Sequence, residues 1–186
     1  MKKFKSDKLR EECGIFGISD FDDSSKLVAL GLHALQHRGQ EGASALTALG
    51  LHALQHRGQE GCGIVSFDGK NYHSEKRQGL VGDHFTKSNI LKKLPGNSAI
   101  GHNRYSTTGE TSLRNIQPFF ADLYNGGLTI AHNGNLTNAI SLRNSLVKDG
   151  AIFRTTSDTE TIVQLIAKSK RTTIIDKIID ALFQIQ

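Results

Sequence analysis

An α+β domain is what this sequence predicts, on three observations. Strand-like runs divided by turn dipeptides fill the middle of the chain, and helix-period apolar patterns fill its C-terminal part. The 186 residues are 37% apolar, an ordinary globular composition with enough chain to bury a sizeable core. Disorder is excluded as the main state. One domain, or most of one, is the natural size.

Ile15-Phe16-Gly17-Ile18 is the first strand-like run. A tandem repeat follows: residues 24–42 and 43–61 adjoin without a gap and are identical over their last fourteen positions. Each copy has the apolar spacing of a helix, through Leu27, Leu30, Ala34 and Leu35 or through Leu46, Leu49, Ala53 and Leu54, stopped by Gly39 or Gly58. A compact fold has one slot for that helix, so one copy must bulge out or repack. Two copies are too few for a solenoid, which needs about three. Such identity points to a recent event, an engineered insertion or an error of sequence assembly more than to a natural functional repeat.

Beyond the repeat, Gly63-Ile64-Val65-Ser66-Phe67 reads as a strand and Asp68-Gly69 as a hairpin turn. Pro95-Gly96 punctuates before the strand-like Ser98-Ala99-Ile100-Gly101, and Asn125-Gly126-Gly127 is a second hairpin turn, leading into Leu128-Thr129-Ile130-Ala131-His132. Residues 136–149 have a helical pattern with Gly150 as the stop. Ser157-Asp158-Thr159-Glu160 has the form of a capping box, Ser at the N-cap and Glu at N3, ahead of a helix to about Lys168. The last helix carries Ile174, Ile175, Ile178, Ile179, Leu182 and Phe183 as an apolar stripe that wants cover, from which the chain is expected to be a fragment of a longer protein.

No run of 18 or more apolar residues occurs, and residues 1–12 are charged throughout with no apolar stretch behind them, so neither a membrane span nor a secretory signal is expected. The two cysteines, Cys13 and Cys62, are then thiols in a reducing cytosol. Of the formal charge of +5, residues 1–12 carry +2, so the basic bias is partly a tail. No recognition motif supports nucleic-acid binding despite a pI of about 9.3. His33/His37 and His52/His56 have a metal-binding i, i+4 spacing, but no third ligand accompanies either pair and no metal is expected.

Cys13 follows the charged leader directly. A lone cysteine before a strand is most often a small buried hydrophobe, and Cys62 is read that way. Removal of residues 1–12 changes the chemistry at Cys13. Its own α-amino group, with an ordinary pKa of about 7.7–8.0, can then take the proton of a thiol whose pKa is about 8.5. One residue then supplies both nucleophile and base, and no triad partner is needed.

Cys13-Gly-Ile-Phe-Gly, Gln36-His-Arg-Gly-Gln-Glu-Gly (again from Gln55), Gly101-His-Asn-Arg-Tyr-Ser-Thr-Thr-Gly, His132-Asn-Gly-Asn-Leu and Thr156-Ser-Asp-Thr-Glu together resemble the glutaminase domain (glutamine amidotransferase type 2) of the amidophosphoribosyltransferase family. Those enzymes open purine biosynthesis. The resemblance runs along nearly the whole chain. It implies a four-layer αββα sandwich of the N-terminal-nucleophile hydrolase type, truncated at its C-terminal end, with residues 1–12 a propeptide and 13–186 an incomplete amidotransferase domain. It also implies that Cys13 hydrolyses glutamine to glutamate and ammonia.

Thiolate attack on an amide makes a tetrahedral oxyanion, and the Asn133 side-chain NH₂ with the Gly134 backbone N–H can form its hole. An Asn-Gly pair is also a common strand-ending turn. Free glutamine is a zwitterion, so its pocket needs a cation and an anion. The resemblance gives Arg104 the carboxylate, through two parallel N–H bonds, and Asp158 completes the charge match by taking the ammonium. Asp158 as the N1 residue of a helix also has a structural use against the helix dipole. Of the two Arg-Gly turns, Arg57-Gly58 is preferred over Arg38-Gly39 as the one packed beside the nucleophile.

The resemblance implies that the phosphoribosyltransferase domain lies outside these residues, and with it the pyrophosphate loop, any Mg²⁺ and, in propeptide-bearing relatives, the cysteines of an iron–sulfur cluster. No cofactor is expected in this chain. Glutamine, the transferase domain and further copies of the full-length enzyme are the expected partners, the cytoplasm the expected location. A non-catalytic module left by duplication and truncation is the alternative.

Overall fold

The structure is a computed structural model and describes residues 14–19, 60–85, 90, 92–104, 112–124 and 126–186. Six strands and four helices lie within them. Strands β1 (Gly14–Ile18), β2 (Gly61–Phe67), β3 (Tyr72–Gln78) and β4 (Ser98–Arg104) form an antiparallel sheet in the order β1-β4-β2-β3. Strands β5 (Phe119–Leu123) and β6 (Gly126–Ile130) form a two-stranded antiparallel sheet. The helices are α1 (Val81–His84), α2 (Ala139–Lys148), α3 (Thr159–Lys168) and α4 (Ile174–Leu182).

Both hairpins turn where the sequence predicts. Gly69 has φ +93° and Gly126 φ +115°, a region glycine enters without steric cost. The Asp68 carboxylate fixes the first turn by accepting from the Lys70 and Asn71 N–H groups at 2.8 and 2.7 Å.

β2 is buried along nearly its whole length, as a central strand covered on both faces should be. On one face it has no side chains at Gly61 and Gly63, and the segment after the 3-10 turn Leu113–Asn115 fills that space: a Cβ on Gly61 would lie 2.5 Å from Ile116 Cδ1, and one on Gly63 2.2 Å from the Gln117 carbonyl oxygen. Further along, Tyr72 of β3 joins the two sheets. Its ring lies 4.8 Å from that of Phe120 and its hydroxyl donates to the Gly127 carbonyl at 2.8 Å.

The three long helices cover the second sheet. Leu136, Leu146, Ile162, Leu165, Ile166 and Ala181 form one buried cluster, against which Leu123, Leu128 and Ile130 pack. The described residues thus build a sheet–sheet–helix stack of mixed strand and helix content. The predicted last helix is present, with the Thr173 hydroxyl accepting from the Asp176 N–H at 3.1 Å as its N-cap. Ile175, Leu182 and Phe183 of its stripe remain 66%, 53% and 87% exposed.

Three local expectations are corrected. The strand expected through His132 ends at Ile130, because the Gln117 side chain takes both backbone groups of His132. The helix expected from residue 136 starts at Ala139, because Leu136 gives its N–H to the Asp158 carboxylate at 2.9 Å. The capping box is incomplete. Ser157 Oγ accepts from the Thr159 N–H at 3.3 Å, but Glu160 reaches past Ser157 to the Arg154 and Thr155 N–H groups at 2.8 and 2.7 Å. Asp158 accordingly sits at the N-cap, one place before the N1 position expected of it.

Candidate active site

The strand pairing decides what lies beside the chain entering β1. Gly14, bonded to Cys13, pairs with Asn103, and Arg104 pairs with Gly61 at the start of β2. The first residues of β1 and β2 and the last of β4 therefore share one end of the sheet. Cys13 itself, Arg57-Gly58, Arg38-Gly39 and both histidine pairs lie outside the described residues. Of the second repeat copy only Glu60 and Gly61 are described, and they run directly into β2, with the Glu60 N–H donating to the Arg104 carbonyl at 3.3 Å.

Arg104 is half-buried, and its Nη1 is enclosed without a hydrogen-bond partner among the described residues. A guanidinium nitrogen left so is costly unless a ligand completes it, which suits a carboxylate binder. Asn133 and Gly134 follow β6 in an exposed turn, so their donors are open to a ligand. Gly134 has φ +157°, which a side chain rarely adopts, and a Cβ there would stand 2.9 Å from the His132 ring Nε2, so the ring would have to move. Asp158 ties α3 to this turn through its bond to Leu136, one residue beyond Asn135. The carboxylate has a structural task, and as a half-buried group it keeps acceptor capacity for an ammonium.

What draws the motifs together is a segment that sequence reasoning missed. The Asn115 amide donates to Thr156 Oγ1 at 2.8 Å and accepts the Thr156 N–H at 3.0 Å, holding the loop that carries Asp158. Two residues on, the Gln117 amide accepts the His132 N–H at 2.7 Å and donates to the His132 carbonyl at 3.2 Å, holding the turn that carries Asn133 and Gly134. Ile116 and Gln117 also fill the space over Gly61 and Gly63, beside Arg104 and His102. Asn115 and Gln117 are 8% and 7% exposed, which is uncommon for amides and was their only mark of importance. Nothing in the Asn-Ile-Gln-Pro run announces it.

Cys62 is 1% exposed, and burial pushes its thiol up to about 12, with the Arg77 charge opposing in part. It is inert at neutral pH. Burial also lowers the Lys76 ammonium to about 8, where it lies 4.8 Å over the Phe119 ring. A cavity of about 570 Å³ opens among α2, α3 and α4, lined by Leu142, Leu165, Lys168 and Arg171 among others, and contains none of Arg104, Asn133, Gly134 and Asp158.

Residues 102–181 match the glutamine amidotransferase domain family. The chain is 52% identical over 180 residues to an amidophosphoribosyltransferase of Rhizobium etli, covering 97% of this chain and 32% of that protein. It is 47% identical over 177 residues to the chloroplastic amidophosphoribosyltransferase 3 of Arabidopsis thaliana, covering 95% of this chain and 30% of that one. Among solved structures, the glutamine phosphoribosylpyrophosphate amidotransferase of B. subtilis complexed with ADP and GMP superposes with a TM-score of 0.75 at 38% identity, over 92% of this chain and 33% of that chain. The chain thus spans about a third of the length of the relatives it matches. Among the described residues no helix is long and apolar enough to cross a membrane.

Proposed function

We propose that this chain is the glutamine amidotransferase part of an amidophosphoribosyltransferase and that it hydrolyses glutamine to glutamate and ammonia with Cys13 as nucleophile, a reading supported by the family match over residues 102–181 and by the relatives and structures it resembles. The observation that supports this most is the convergence around Asn115–Gln117: the strand end with Arg104, the turn with Asn133 and Gly134, and the loop with Asp158 are bonded to or packed on one short segment.

In the proposed reaction, residues 1–12 are removed and the freed amine of Cys13 takes the Sγ proton. The thiolate attacks the glutamine side-chain carbonyl, forming the C–S bond, and the oxyanion is held by the Asn133 amide and the Gly134 N–H. Collapse breaks the C–N bond, the ammonium of Cys13 returns its proton to the leaving nitrogen, and ammonia departs. Water, deprotonated by the same amine, then cleaves the thioester to glutamate. Arg104 holds the substrate carboxylate and Asp158 its ammonium, which selects free glutamine over amides within proteins.

The four-layer sandwich belongs to this proposal, as does the division into a propeptide and a 13–186 domain interrupted by the duplication. So does the destination of the ammonia. In the whole enzyme it meets phosphoribosyl pyrophosphate in a phosphoribosyltransferase domain, where Mg²⁺ and any iron–sulfur cluster would also reside, giving 5-phosphoribosylamine in a cytoplasmic homo-oligomer.

Ammonia release from glutamine tests the assignment. Cys13→Ala abolishes it, while Cys62→Ala leaves turnover at the wild-type level because that thiol is buried and protonated. Turnover surviving in Cys13→Ala rejects the nucleophile.

A further inference from the structure

His102 stands in β4, between β1 and β2, with Ile15 and Gly63 as its cross-strand partners. Directly opposed residues of antiparallel strands project to the same face. The face at Gly63 is the one on which Gln117 closes, so the His102 ring enters the layer between the sheets where Gln117 holds His132. None of its surface reaches solvent. Among the described residues neither ring nitrogen makes a well-formed hydrogen bond, nor does Nδ1 of His132. The His132 backbone lies near the ring, as do the Arg104, His132 and Lys76 side chains. Leaving a buried imidazole short of a partner is destabilising, and an apolar side chain of like volume would avoid that cost.

Resting on the glutaminase reading above, we infer that His102 is a positioning residue. A ring N–H of His102 meets the His132 carbonyl from the side opposite the Gln117 clamp, and the two together aim Asn133 and Gly134 at the oxyanion. The bond is loose in the free chain and tightens when substrate seats the turn, as hydrogen bonds of active sites commonly do. Burial lowers the imidazole to about 4, so His102 remains a neutral ring with one N–H across the working pH range. In this role it acts through the His132 backbone.

The test uses the full chain with His102→Leu, which removes the donor, and His102→Gln, which supplies another. Ammonia release, KM for glutamine and the rate of Cys13 alkylation by iodoacetamide are measured, with thermal unfolding as the control for folding. A misdirected oxyanion donor lowers kcat by about tenfold or more in His102→Leu, with KM and the alkylation rate within about twofold of wild type, and His102→Gln recovers part of kcat. Full kcat in His102→Leu overturns the inference alone, as does a parallel loss of kcat, substrate affinity and alkylation in folded protein. A wild-type chain that releases no ammonia overturns the glutaminase reading and this inference with it. Should both variants unfold, ¹⁵N-histidine spectra of the unmutated chain decide. The ring N–H of His102 moves downfield when a glutamine-analogue electrophile occupies Cys13, and an unmoved resonance refutes the role.

Discussion

The guanidinium of Arg104 lacks one hydrogen bond that a substrate carboxylate would supply, and its backbone is already held in β4, so truncation removes the ligand contact more than the fold. Arg104→Ala is expected to raise KM for glutamine about ten- to a hundredfold, the worth of about 1.5–3 kcal/mol for hydrogen bonds to a charged group, with a smaller change in kcat. Steady-state ammonia assays at varied glutamine read the split. His102 predicts a pH effect on stability. Its pKa falls from about 6.5 in the unfolded chain to about 4 in the fold, so between those values the unfolded state binds more protons. Stability therefore rises with pH across that window and is lost as pH drops through it. Urea unfolding at pH 4.5 and 6.5 should give a smaller difference for His102→Gln than for wild type. At this scale Arg104, Asn133, Gly134 and Asp158 could be proposed from the sequence because each stands in a short motif whose chemistry suggests a role. Asn115 and Gln117 lie in no such motif, and His102 and His132 stand in two of them without a chemistry that singles them out; what marks Asn115, Gln117 and His102 is burial without apolar character, which is invisible before the sheets are paired.

The strands and helices were legible wherever their limits are set by the backbone itself, as at the Gly69 and Gly126 turns and at Gly150, with φ +85°, after α2. Limits set by a side chain from elsewhere were missed. β6 stops where Gln117 intervenes, and α2 begins after the residue bound by Asp158. The tight contact between β2 and the segment after the 3-10 turn gives this scale its prediction. Gly63→Ala puts a methyl 2.2 Å from a backbone oxygen and forces the sheet and the Gln117 segment apart, at a cost of about 1–3 kcal/mol or more. Gly69→Ala meets nothing within 4 Å but must hold φ +93°, which costs about 1 kcal/mol. Paired thermal melts should show the larger loss at Gly63, and only that variant should also lose ammonia release, since it alone displaces the segment that gathers the site.

For the whole molecule, composition and turn pattern were sufficient for a mixed α+β domain, while the order of its layers was not readable until Tyr72 was seen to bridge the sheets and the α2–α4 cluster to cover the second one. The repeat is plain in the sequence, and its second copy leads into β2 without a break at Glu60-Gly61. The proposed nucleophile links every scale, because the roles proposed for Arg104, for Asn133 and Gly134 and for residues 1–12 have a common purpose only if Cys13 begins the active chain. Intact-mass analysis and peptide mapping after treatment with diazo-oxo-norleucine measure this directly. The predicted product is one adduct on a Cys13 whose α-amine is free, with residues 1–12 gone. An adduct on another residue, or glutamine turnover by protein that still carries Met1 to Glu12, would contradict it.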